Sequence, residues 1–141
     1  MLGPCTQNLL NALGERKTLD VVLKQNTSDF ISRPLCDALA DLLVQKGLTR
    51  SQAIRSSMLN TIYGQQIFAG TKTPSRDKLL AIALGMQLSF QETDTLLKQQ
   101  GYARLYPRRQ RDAVIIYGLL HRMTPLDVNT LLYENEMETL V

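Results

Sequence analysis

Thr49-Arg50-Ser51-Gln52-Ala53-Ile54-Arg55-Ser56-Ser57-Met58-Leu59-Asn60-Thr61-Ile62-Tyr63-Gly64-Gln65-Gln66-Ile67-Phe68-Ala69-Gly70-Thr71-Lys72-Thr73-Pro74-Ser75 spells out two helix starts close together and a firm stop. Thr49 and Gln52 have the spacing of a capping box, in which a hydroxyl and a side-chain amide satisfy N–H groups that the first helical turn leaves bare. Leu48 and Ala53 flank that start as a small apolar staple. The helix it opens lasts only to Ser56 or Ser57. Asn60 is placed to cap a second helix over 60–69, Gly70 stands where a left-handed residue ends a helix, and Pro74 blocks continuation. Two short helices about three residues apart have the geometry of a helix-turn-helix unit.

Working backward, residues 32–46 read as a longer amphipathic helix with Leu35, Leu39, Leu42 and Leu43 on one face, Pro34 in the first turn and Gly47 at the end. Working forward, Ser75 caps Leu79-Leu80-Ala81-Ile82-Ala83-Leu84-Gly85-Met86, with Asp77 favourably placed in the first turn. Ser89-Phe90-Gln91-Glu92 is a second capping box, starting a helix that runs to about Gln100 before Gly101. The order and spacing of Thr49-Arg50-Ser51-Gln52-Ala53-Ile54, Leu59-Asn60-Thr61-Ile62-Tyr63 and Ile67-Phe68-Ala69-Gly70-Thr71-Lys72-Thr73-Pro74-Ser75 resemble the Cro/C1-type (XRE, lambda-repressor-like) helix-turn-helix family without a gap, over residues 35–89. The resemblance implies a five-helix DNA-binding module whose second motif helix enters the major groove.

Three departures from that family's pattern involve four positions. Phe68 and Leu43 stand where many members place a glutamate and an arginine, an exchange of an ion pair for an apolar contact that leaves stability intact. Gly64 replaces an apolar side chain in mid-helix, at a cost of about 1 kcal/mol, which predicts close approach by a neighbour. Met58 occupies the place of a common turn glycine.

The chain of 141 residues is 44% hydrophobic, enough for one ordinary core with an appendage. Its formal net charge is +3, so any basic surface must be local. Residues 50–78 hold Arg50, Arg55, Lys72, Arg76 and Lys78 against the single acid Asp77, whereas residues 127–138 hold Asp127, Glu134, Glu136 and Glu138 and no base. That segregation predicts a positive face around the motif and an acidic tail directed elsewhere. Cys5 and Cys36 are too few and too isolated for a zinc site or a disulfide scaffold, and the cytoplasm is the expected compartment. The longest apolar run, 113–120, falls far short of the ~20 residues that span a bilayer, so no membrane partner is expected.

Residues 6–13 and 18–25 read as two short helices, neither able to bury its apolar face alone. They define an N-terminal helical extension over 1–31, ahead of the module at 32–101. Beyond it, residues 102–141 read as a helical pair that packs on the module or dimerises: a helix from Pro107 to His121, then one opened by Thr124-Pro125-Leu126-Asp127. No stretch alternates as a strand would. The expected class is all-α.

Along the second motif helix, Leu59, Tyr63 and Ile67 form the stripe expected inside, which turns Asn60, Thr61, Ile62, Gln65, Gln66 and Ala69 outward or sideways. Glutamine bonds adenine in bidentate fashion, and threonine and isoleucine methyls contact the thymine methyl. The resemblance implies base reading by Thr61, Ile62 and Gln66, with Gln65 adjacent, and phosphate contacts from Arg50, Asn60, Lys72 and Arg76. An ordinary polar helix face would carry the same glutamines.

Arg108, Arg109 and Arg111 sit in the expected first turn of a helix, where cations oppose the macrodipole. Their compensation is either internal, from Glu92, Asp94 or Glu134, Glu136 and Glu138, or external, from DNA phosphate or an acidic protein. The apolar run that follows marks a central helix or a subunit interface, and a two-fold DNA site favours a homodimer through residues 113–137. His121 at a helix C-terminus is explained by the dipole, and no phosphate loop, metal-ligand spacing or nucleophile–base pair is visible. The sequence reads as a non-enzymatic, cofactor-free regulator that binds double-stranded DNA; the alternative is a protein-interaction adaptor built on the same module.

Overall fold

The computed structural model describes residues 33–141, which form one compact unit. The expected extension over 1–31, with its two short helices, lies outside the described residues. Seven helices and no strand occur among them: α1 (Leu35–Lys46), α2 (Arg50–Ser56), α3 (Thr61–Ala69), α4 (Arg76–Gly85), α5 (Phe90–Gln99), α6 (Gln110–Leu120) and α7 (Pro125–Glu134). The described chain is all-α.

Local chemistry accounts for most helix starts. Thr49, Ser89 and Thr124 each close a reciprocal capping box, with Gln52, Glu92 and Asp127 respectively, while Asn60 and Ser75 cap α3 and α4 with their side-chain oxygens. α1 begins at Leu35 rather than Ser32, because Pro34, at φ −58° and ψ 141°, is extended and serves as the flanking residue. α6 begins at Gln110, three residues later than Pro107 predicts. Its flanking residue Arg109 makes no side-chain cap, and Asp112, its first-turn acid, turns back to accept from the Tyr106 N–H at 2.9 Å.

α4 is the central element. Leu79, Leu80, Ala81, Ile82, Ala83 and Leu84 are all buried, so this helix is apolar on every side and covered on every side. The same core takes in Leu39 from α1, Ile54 from α2, Ile67 and Phe68 from α3, Leu96 and Leu97 from α5, and Val128 and Leu132 from α7. Full burial of one such side chain contributes about 1.5–3 kcal/mol. α6 does not take the central place that its composition allows. Ile115, Gly118 and Leu119 face the core, and Tyr117 and Leu120 stay exposed. A Cβ at Gly118 would stand 2.4 Å from Val128 Cγ2 and 3.7 Å from Leu84 Cδ2, so this glycine lets α7 close onto α6 above α4.

The arginine-rich segment departs from its expected partners. Arg111 pairs with Asp77 at the start of α4 (2.8 and 3.0 Å) and donates to the carbonyl oxygen of Glu138, not to a tail carboxylate. Glu92 pairs with Lys46 at 2.8 Å, and Asp94 accepts from Arg104 and from the Leu105 N–H. Arg108 and Arg109 are exposed and make neither an ion pair nor a side-chain hydrogen bond among the described residues. At a helix start each opposes the dipole by about 0.3–1 kcal/mol.

Carboxylates held in this way contribute stability that acid removes. Burial alone would raise the Asp112 carboxyl, but hydrogen bonds from Arg76 and the Tyr106 N–H, with the charges of Arg76 and Arg109, outweigh it and hold Asp112 below its ordinary range. The Lys46 ammonium, together with the Ser89 N–H, holds Glu92 low against a smaller effect of burial. A depressed folded-state value stabilises the fold above the unfolded value, about 3.9–4.3 for these groups, and that contribution disappears as pH falls through the lower folded value. Thermal unfolding between pH 7 and 2 is therefore expected to show a midpoint that falls below about pH 4, less steeply in Asp112→Asn. An equal acid slope in that variant would remove Asp112 from the account.

Candidate nucleic-acid interface

α2 and α3 are joined through Ser57, Met58, Leu59 and Asn60. Ser57 is fully buried, its hydroxyl donating to the Ala53 carbonyl, and Leu59 is buried beneath the turn. Met58 takes the left-handed conformation at φ 63°, so the backbone makes the bend that the missing glycine would make, with the methionine side chain left half in solvent. Gly64 brings α3 against α2: a Cβ there would lie 2.6 Å from Ile54 Cγ2. Glycine at this position is a packing requirement.

This close seating fixes which side of α3 is presented. Gly64, Ile67 and Phe68 face inward and Tyr63 is half-buried. Thr61 and Ile62 are exposed, Ile62 at 71%, while Gln65 and Gln66 are half-buried on the flank. Neither glutamine side-chain amide is engaged in a hydrogen bond among the described residues; the Gln66 carbonyl accepts from the Thr71 N–H and the Lys72 N–H where α3 ends. The four residues expected to read bases thus share one helix, two fully accessible and two along its edge. Asn60 uses its oxygen on the Ile62 and Tyr63 N–H groups, which leaves its NH2 free to donate outward.

Arg50 and Lys72 are exposed and make no ion pair among the described residues, one at the start of α2 and the other just after α3. Arg76 corrects the expectation. Its Nε donates to the Ala103 carbonyl at 2.8 Å, and its Nη atoms pair with both oxygens of Asp112 at 3.1 Å. With a further bond to the Arg104 carbonyl and 22% side-chain exposure, this guanidinium is spent on holding α4 to the 103–112 segment. Sequence spacing offered no sign of it, since the partner lies 36 positions away.

The charge on this face follows from two exchanges. Arg76 goes to Asp112, and Asp77, the only acid between residues 50 and 78, goes to Arg111. Among the described residues Arg50, Arg55, Lys72 and Lys78 make no ion pair, and residues 50–78 hold no uncommitted carboxylate. Arg55 and Lys78 were legible only as members of a basic count. Among the described residues no group of three or more histidines, cysteines or acids is gathered as a metal site, and no helix is long and apolar enough to cross a membrane. No known protein family matches the chain, and neither a curated protein nor a solved structure matches it.

Proposed function

We propose that this protein is a sequence-specific DNA-binding transcriptional regulator of the cytoplasm, with α2, the Met58 turn and α3 serving as a lambda-repressor-like helix-turn-helix. α3 lies in the major groove, where Thr61, Ile62, Gln65 and Gln66 read base edges. Arg50, Asn60 and Lys72 hold the phosphates and set the register. The observation that carries this reading is the combination on α3 of two unspent amides and an exposed isoleucine, flanked by cations whose only neighbouring carboxylate is neutralised by Arg111.

Selection from a randomised duplex pool at two salt concentrations tests it. Enrichment of a short site supports base reading; salt-labile binding without enrichment leaves only a basic surface. Gln66→Ala is expected to lose about 1–3 kcal/mol at one operator position and little on random DNA, whereas Lys72→Ala weakens all sequences alike and lowers the salt slope by about 0.9. Equal losses on operator and random DNA for Gln66→Ala would remove its base-reading role.

A second reading has its own observation. Tyr117 and Leu120 on α6, with Leu126 and Tyr133 on α7, are large apolar side chains left between 49% and 78% exposed. They fit a protein contact in the 113–137 region, either a homodimer that would match a two-fold operator or the docking face of an adaptor. Absence of any DNA binding in the selection favours the adaptor.

A further inference from the structure

We infer that Arg108 and Arg109 form a second phosphate-contacting edge, which grips the backbone of the same duplex that α3 reads. The inference rests on the DNA-binding reading above and extends the contact surface beyond the helix-turn-helix unit, into a segment that follows it by more than thirty residues.

The first support is placement. The segment 102–112 is tied along the first turn of α4: the Tyr102 hydroxyl donates to the Pro74 carbonyl, Arg76 donates to the Ala103 and Arg104 carbonyls and pairs with Asp112, and Arg111 pairs with Asp77. Pro74 and Asp77 lie two and five residues after Lys72. Lys72 is five residues from the Asp77–Arg111 pair and Arg109 is two residues from it. At no more than about 3.6 Å per residue, both cationic stretches lie within roughly 20 Å of that pair. Both stretches are thus tethered to one ion pair, over a span comparable with the ~34 Å of one turn of DNA.

The second support is charge. Asp94 and Asp112 are both committed, Asp94 to Arg104 and Asp112 to both terminal nitrogens of Arg76, and no acid occurs between residues 95 and 111. Arg109 lies close enough to Asp112 to favour its ionised form, yet it makes no ion pair with it. Arg108 and Arg109 are therefore exposed guanidiniums at a helix start that disfavours them, beside two arginines whose charges the fold does neutralise. Phosphate supplies the missing counter-charge, in bidentate form.

The test is the salt dependence of binding by the full chain to a selected operator duplex and to a random duplex, for the parent protein, R108A/R109A and R108K/R109K. The double alanine variant is expected to lose about 1.8 from the slope of log K against log salt, from two contacts at about 0.9 each, equally on both duplexes. The lysine pair restores the slope, because counterion release depends on charge. Unfolding midpoints within a degree or two of the parent keep folding out of the comparison. An unchanged slope in R108A/R109A overturns the inference while leaving α3 as the reading helix. Failure of the parent protein to bind any duplex removes the DNA-binding reading itself, and the inference with it.

Discussion

Asp112→Ala is expected to destabilise the protein by about 3–4 kcal/mol, seen as a lower denaturant midpoint and a fall in melting temperature of roughly 10–20 °C. The carboxylate is only 6% exposed and satisfies three donors at once: two guanidinium nitrogens of Arg76 and the Tyr106 N–H. Its removal strands a mostly buried charge, and stranding one partner of such a pair costs more than the pair contributes. Arg76 keeps the Ala103 and Arg104 carbonyls, which places the expected loss at the lower end of the range for buried pairs. Asp112→Asn should lose less, since its oxygen still accepts from one donor. A loss below about 1 kcal/mol for the alanine variant would mean that the two carbonyls alone satisfy Arg76.

Gly85→Val is expected to cost about 3 kcal/mol, at the top of the usual range for overpacking. A Cβ at Gly85 would lie 2.8 Å from the Ser56 carbonyl carbon and the Ser57 nitrogen, so the obstacle is backbone and cannot rotate away. The end of α4 must move away from the end of α2, and with it the Met58 turn that aims α3. Gly64→Ala offers the contrast, because its new Cβ meets the buried Ile54 side chain, 2.6 Å from Cγ2, rather than backbone. Denaturant titration of the two variants checks the order. A milder result for Gly85→Val than for Gly64→Ala would show that α4 slides freely along α2.

Helix starts were legible because capping is written in adjacent residues: Thr49, Asn60, Ser75, Ser89 and Thr124 all cap in the structure as their spacing predicts. Helix ends were half legible. Each of the seven described helices is followed by a left-handed residue, and Gly47, Gly70 and Gly101 announce theirs. Met58, Gln87, Arg122 and Glu136 do the same with side chains that carry no such signal, held there by the tertiary fold. On α3 the expected stripe is met in part: Leu59 and Ile67 are buried, Tyr63 is half-buried, and Gly64 and Phe68 join the inner face, with Asn60, Thr61 and Ile62 exposed. The commitment of Arg76 to Asp112 was not legible, because no local pattern encodes a partner two helices further along the chain. The arginine cluster divided for the same reason: Arg111 found Asp77, a carboxylate that served in the sequence only as a favourable first-turn acid.

The exchange between α4 and α6 is built from one dipeptide used twice. Arg76-Asp77 opens α4 and Arg111-Asp112 lies in the first turn of α6, and the pairs cross, Arg76 to Asp112 and Asp77 to Arg111. Such a crossing acts as a register lock. Were α6 to slip by one residue against α4, either Arg76 would face Arg111 or Asp77 would face Asp112, so both attractions would be lost and one repulsion gained. Apolar surfaces such as those of α4 and α6 tolerate several nearly equivalent seatings, and this polar exchange singles out one of them.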